Sequence, residues 1–375
     1  MDSLLAAFEG IDDPRVERTK AYPLADIMFL ILCAVLCGVE SWRGVEDFGE
    51  DRLEWLRTYL PFENGVPSHQ TVGRVMSLLK GDCVAKAFVQ FMASLFSCQE
   101  NEVIALDGKT LRRSFDKATG QKPLHILNAW AINAGVSLGQ IKVGQKTNEI
   151  TAVPELLDML DIRHATIVAD ALNTQKAIAK KVIASEADYA FPVKGNHKQL
   201  EEDIEREFDT TFVDESDRNI FLETIEKSHG RIETRRYSLL PAAILDQAKE
   251  WAGLKNIGKV MNETFHDGKK STEIRYFLLS FDGVERFAQT VRGHWGIENR
   301  LHWVLDVTFR EDDCRVRKDH APENFSTIRK LALNFLRFDT STKLSIPRKQ
   351  ARAARKPEYL DLLLKGKSGI GPAKF

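Results

Sequence analysis

ATIVADALNTQKAIAKKVIASEADYAFPV, residues 165–193, reads as strand, helix, strand. Its two apolar runs, Ala165 to Asp170 and Asp188 to Val193, have strand length, while the segment from about Thr174 to Ser185 spaces its apolar residues for one face of a helix. Working back, about Ile150 to Leu160 (ITAVPELLDML) gives another helix. Before it come three strand-like runs: Val103-Ile-Ala-Leu-Asp107 meeting a turn at Gly108, His125 to Ile132, and Val136 to Val143. The order is three strands, helix, strand, helix, strand. Three antiparallel strands followed by αβαβ is the α/β topology of a ribonuclease-H-like mixed sheet, in which the first and fourth strands are neighbours.

Outward from this sheet the pattern changes on both sides. Residues 1–100 carry apolar residues at helical spacing and few β-branched runs, which predicts a helical amino-terminal domain. Within it, Ser68 follows Pro67 and caps a helix bearing Gln70, Thr71 and Arg74; this is a plain capped helix or the second helix of a helix-turn-helix. Residues 101–207 and 282–340 form the ribonuclease-H-like domain on this reading. Residues 208–281 alternate short β-like pieces with polar turns and are predicted to be a β-rich insertion. Helical patterning resumes near Val284, a further helix is expected from about Ala321 to Leu336, and residues 341–375 are a basic tail.

Composition bounds the classes of function. The apolar run Ile27 to Val39 falls short of the ~20 residues of a spanning helix and reads as a buried helix, with Cys33 and Cys37 one turn apart. No membrane partner is expected. Five cysteines without a CxxC pair suggest neither a disulfide framework nor a zinc ribbon, and with no signal-like start a bacterial cytoplasm is the expected location. The net charge of −1 hides an uneven distribution: residues 340–375 hold nine Lys/Arg against two Asp/Glu, whereas residues 1–100 hold nine against 15. Arg352 and Arg355 in the basic end are candidates for following DNA phosphates, if they are not simply a solvated helix face.

Three carboxylates offer chemistry. Asp107 and Asp170 each close an apolar strand on adjacent strands, and Glu298 lies in the helix-compatible run from Val291 to Asp306. Mg²⁺ or Mn²⁺ prefers such oxygen ligands, and two ions ~4 Å apart serve an in-line displacement at phosphorus. Asp107 before Gly108 is equally a turn signal. His294 and His302, four residues either side of Glu298, also allow a zinc-like face, though not at HExxH spacing. Trp295, Ile297 and Trp303 read as core anchors rather than base-stacking platforms. Should Glu298 point away from the aspartates, Glu311 or Asp312 is the next candidate.

The segments Leu106 to Arg112 (LDGKTLR), Lys146 to Leu157 (KTNEITAVPELL), Val168 to Gln175 (VADALNTQ), Pro192 to His197 (PVKGNH), Ser228 to Arg235 (SHGRIETR) and Arg292 to Arg315 together resemble the H-repeat-associated transposases of bacterial insertion sequences. The resemblance spans nearly the whole chain. It implies a DDE transposase with a ribonuclease-H-like catalytic domain, a β insertion before the last acid, and Asp107, Asp170 and Glu298 as the metal-binding triad. The broader group places Tyr-x-x-Arg before the glutamate and Lys seven residues after it; here those positions are Val291, His294 and Leu305. The expected partner is DNA, both element ends and target, with a homodimer in the active complex. Lys194, Asn196, His229, Arg231 and Arg235 become candidates for contacts to it, on that resemblance and the need to neutralise phosphates, and His294 for the role of the missing arginine. Two alternatives stay open: an inactive or domesticated DNA-binding protein of the same fold, and a structure-specific nuclease without a joining step.

Overall fold

A computed structural model describes residues 1–96, 100–115, 120, 122–144, 148–228, 230–294 and 296–365. His229, Trp295 and Lys146 lie outside the described residues.

Five helices open the chain: α1 (Asp2–Glu9), α2 (Leu24–Leu36), α3 (Trp42–Leu56), α4 (His69–Leu78) and α5 (Gly81–Leu95). Every residue of α2 is buried, as its unbroken apolar run requires. Ser68 caps α4, its hydroxyl accepting from the Thr71 N–H at 3.3 Å. The intervening residues 57–68 make a far longer connection between α3 and α4 than the ~3–4-residue turn of a helix-turn-helix. The capped helix is therefore present without that motif around it.

The strands are β1 (Val103–Leu111), β2 (Leu124–Ala131), β3 (Val136–Lys142), β4 (Thr166–Ala169), β5 (Asp188–Val193), β6 (Phe221–Ser228), β7 (Arg231–Pro241), β8 (Asn256–His266) and β9 (Lys269–Leu279). Helices α6 (Glu149–Met159) and α7 (Lys176–Ala184) precede and follow β4, and α8 (Lys198–Thr210) follows β5. Strands β1 to β3 pair antiparallel, and β1, β4 and β5 run parallel. The three-strand meander and the αβαβ that follows are the elements the sequence predicts.

One detail differs: β1 does not stop at Asp107 but continues to Leu111, because β2 pairs with it along that whole length. The strands of 208–281 extend the same sheet: β9 pairs antiparallel with β5, and the nine described strands run in the order β3-β2-β1-β4-β5-β9-β8-β7-β6. The β8–β9 hairpin turns on Asp267-Gly268, both at positive φ, the backbone that an Asp-Gly pair favours in a two-residue turn.

The chain ends in helices: α9 (Val284–His294), a π-helical turn Glu298–His302, α10 (Trp303–Val307), α11 (Ala321–Phe338), α12 (Ile346–Arg355) and α13 (Pro357–Lys365). Arg286 fastens α9 across two strands by donating to Asp188 (2.7 Å) and Thr166 (2.8 Å). Helix α11 is buried through most of its length between α2, α5 and β3. Up to residue 365 the basic end is folded, not trailing: Trp55 of α3 and Tyr59 just after it donate to Asp361 at 2.8 and 2.5 Å, and Arg52 to the Ala354 carbonyl at 2.8 Å. No helix among the described residues is long and apolar enough to cross a membrane.

Candidate active site

β4 ends at Ala169, whose ladder partner on β1 is Leu106. The next residue on each strand is an aspartate, so Asp107 and Asp170 sit side by side where the parallel ladder stops. Asp107 is held on a continuing strand, its backbone carbonyl accepting from the buried Asn128 side chain at 3.2 Å. Asp170 sits at the opening of the short 3-10 turn Ala171–Asn173 and is exposed.

Glu298 arrives from the other side of the fold. Ile297, Leu301 and Leu305 are buried and fix the helix against the core, which turns Glu298 outward. The Trp303 N–H bonds the Glu298 carbonyl, an i to i+5 link that makes this a π turn. His302, almost fully buried, places Nδ1 3.1 Å from Glu298 Oε2 and 3.3 Å from Asp107 Oδ2. Ligand atoms of Asp107, Glu298 and His302 all lie within 4.8 Å of one another. With two carboxylates facing Nδ1, the ring proton belongs on that nitrogen, which leaves buried Nε2 without a partner. Burial also keeps His302 below its ordinary pKa.

The electrostatics are crowded and acidic. Asp107 is pushed up to about 7, first by burial and then by the charges of Asp170, Glu149 and Glu298, with the Gly108 N–H opposing. Glu149, the first residue of α6, is a fourth acid that the motif reading did not single out. It accepts from Asn173 at 3.0 Å and meets His125 Nε2 at 2.7 Å, and the His125 bond lowers its pKa. His294 stands 3.9 Å from Asp170, and burial lowers its pKa in turn. Among the described residues, the ion-pair partners of Asp107, Asp170 and Glu298 are histidines. Clustered carboxylates, with no described lysine or arginine at ion-pair distance and joined by an imidazole nitrogen, are a donor set that suits a divalent cation.

The other candidates scatter. Glu311 is sealed in the interior, accepting from Ser326 at 2.8 Å, and Asp312 pairs with Arg112 at 3.2 Å. Lys194 and Asn196 are exposed at the end of β5, where Asn196 donates to the Ala171 carbonyl at 2.8 Å beside Asp170. Arg74 is exposed on α4. Arg231 is exposed and pairs with Glu233. Arg235 is buried between Glu226 and Glu233, so its charge faces those acids rather than solvent. Arg352 lies over the Tyr359 ring at 4.6 Å, and Arg355 is exposed. Ile297 is a core residue as expected, but Trp303 is 56% exposed. The π turn before Trp303 shifts the helix face that follows. For His125 and Glu149 no local signal exists, since their pairing depends on strand β2 meeting helix α6.

The chain matches two family models: Transposase DDE domain over residues 99–335 and DDE_Tnp_1-associated over residues 5–92. It is 39% identical over 377 aligned positions to the H repeat-associated putative transposase YhhI of Escherichia coli K12, covering 99% of both chains. It is 39% identical to the putative transposase YncI of Escherichia coli O157:H7, covering 99% of this chain and 96% of that one. A solved piggyBac transposase synaptic complex with hairpin DNA aligns with 98% of this chain and 80% of its own at TM-score 0.44 and 10% identity.

Proposed function

This chain belongs to the DDE transposase family, and on that premise we propose that it is an insertion-sequence transposase: it cleaves the phosphodiester at an element's end and joins the freed 3′-hydroxyl to target DNA. The observation that carries the reading is the convergence of acids from three distant segments: Asp107 and Asp170 adjacent at the end of the β1–β4 ladder, and Glu298 with His302 within 4.8 Å of Asp107. Local sequence proximity cannot produce that arrangement.

Asp107, Asp170 and Glu298 would hold Mg²⁺ or Mn²⁺, with His302 at their side. Such ions, when bound, activate the attacking oxygen and stabilise the departing one. The chain's own residues do the rest. β1 and the turn after β4 fix the two aspartates, so no backbone rearrangement is needed to bring them together. His302 Nδ1–H spans Asp107 and Glu298 and limits their mutual repulsion before a cation arrives. Glu149, bonded to His125 and Asn173, ties the Asp107 side of the sheet to the turn that carries Asp170. Lys194, Asn196 and His294 stand around Asp170 and are positioned to meet the DNA backbone there.

On the same reading the sheet of β1 to β5 is the ribonuclease-H-like centre of residues 101–207 and 282–340, residues 208–281 are its insertion, and the helices of 1–100 contribute DNA binding with Arg74. The active species is a homodimer on two element ends, working in a bacterial cytoplasm. Arg231, Arg352 and Arg355 add phosphate contacts, as does His229 by its motif. The test is metal-dependent cleavage and joining on duplexes that carry the sequence flanking the gene. Hydrolysis without joining identifies a nuclease, and binding without either identifies an inactive DNA-binding relative.

A further inference from the structure

Two residues after Asp107, on the same face of β1, stands Lys109. Its side chain is buried, ion-paired to Asp306 of α10 and 3.1 Å from Glu311. A buried lysine is costly unless its charge is matched, so this position calls for a reason. Glu298, His302 and Asp306 fall four residues apart along one helical stretch, and Asp107 and Lys109 fall two apart along a strand. Two strand residues advance about 6.6 Å; four helical residues advance about 6 Å. The strand and the helix therefore meet at two matched rungs, Asp107 with His302 and Lys109 with Asp306.

The lower rung is anchored. Glu311, fully buried, accepts from Ser326 and lies 4.0 Å from Arg329, both on α11. Lys330 donates to Ser326 (2.7 Å) and to Gln140 of β3 (2.6 Å). Lys109 is thus held from β1, α10, the turn Glu311–Asp313 and, through Glu311, α11. Among the described residues nothing comparable holds the exposed Glu298, whose side-chain bond is to His302.

We propose that Lys109 and Asp306 are positioning residues that fix the helix bearing Glu298 at the height of Asp107, so that the metal-binding separation is set by a buried ion pair one rung below it. This rests on the metal-site reading above. Neither residue touches the cation; the pair sets where Glu298 and His302 stand.

The experiment titrates Mn²⁺ into the metal-free full-length chain, with bound ion read by electron paramagnetic resonance and a thermal melt of each variant. Asp306 is part-exposed, so Asp306→Asn should fold; it is expected to bind Mn²⁺ about 10- to 100-fold more weakly, the usual loss when an outer-shell partner is removed, at near wild-type melting temperature. Asp306→Glu keeps the charge but lengthens the rung by a methylene. It too should bind Mn²⁺ more weakly at wild-type stability, which decides the matter if Asp306→Asn does not melt cooperatively. Lys109→Gln combined with Asp306→Asn should lose little more than the weaker single variant, as for two members of one contact. Wild-type Mn²⁺ affinity in either Asp306 variant, with binding lost in Asp107→Asn, overturns the positioning role and leaves the metal site standing. Undiminished binding in Asp107→Asn overturns the metal reading, and this proposal with it.

Discussion

Asp107 is the residue on which the electrostatics turn. Its pKa of about 7 in the metal-free fold lies above the ~3.9 of an unfolded aspartate, so its contribution to stability is fully present below about pH 4 and is lost as pH rises toward 7. Asp107→Asn removes that dependence. The unfolding free energy of the variant minus that of wild type, measured in urea without metal, should grow from pH 5 to 7 and level off by about pH 8, at no more than about 1.4 kcal/mol per pH unit. Saturating Mg²⁺ should shrink the gap, because the cation relieves the same repulsion. A gap that stays constant across pH contradicts the account. Asp170→Asn makes the companion case: it keeps the side chain's shape, lowers the charge beside Asp107, and should raise the metal-free melting temperature while abolishing strand transfer.

At the scale of elements, Gly108 of β1 faces His125 of β2 and Glu149 of α6. A Cβ there would lie 2.1 Å from Glu149 Oε1 and 2.6 Å from His125 Nε2. Both atoms are engaged in each other's hydrogen bond, so neither can yield without breaking it. Gly108→Ala is expected to destabilise by about 1–3 kcal/mol in urea unfolding, as overpacking of a filled site does; an unchanged midpoint would show that Glu149 is not pinned. The elements themselves were largely legible in the sequence, because alternation and helical spacing are local signals: β1 to β5, α6 and α7 lie where the apolar runs place them. The continuation of β1 beyond Gly108 was not, since Asp-Gly reads as a turn until β2 is known to pair across it. The joining of the 208–281 strands to β5 was hidden for the same reason, as no local pattern states which strand edge a hairpin meets. Of the candidate site, the acids could be read from strand ends and motif; His125, Glu149 and the Lys109–Asp306 pair could not, because each depends on two distant segments meeting.

For the whole molecule, the uneven charge should show in DNA binding more than the net charge of −1 suggests. Affinity for duplex should fall steeply with salt as lysine and arginine release phosphate counterions. Removing Arg355 and Arg352 together should weaken binding to unrelated sequences about equally, seen as parallel shifts in a fluorescence-anisotropy titration. Loss confined to one sequence would contradict phosphate tracking by α12. Arg74, exposed on α4, should instead alter preference among sequences if that helix reads bases.

Acids from β1, the turn after β4 and the π turn are proposed to make one metal-dependent strand-transfer site. The decisive measurement is joining of a radiolabelled, 3′-hydroxyl-terminated duplex bearing the gene's flanking sequence to plasmid DNA, with Mg²⁺ and with chelator. Wild type, Asp107→Asn, Asp170→Asn and Glu298→Gln are compared, each first shown to melt cooperatively. Joining is expected from wild type only, dependent on Mg²⁺, with DNA binding retained in all three variants. Joining that persists in a folded Asp170→Asn or Glu298→Gln protein, or in wild type under chelation, would contradict it.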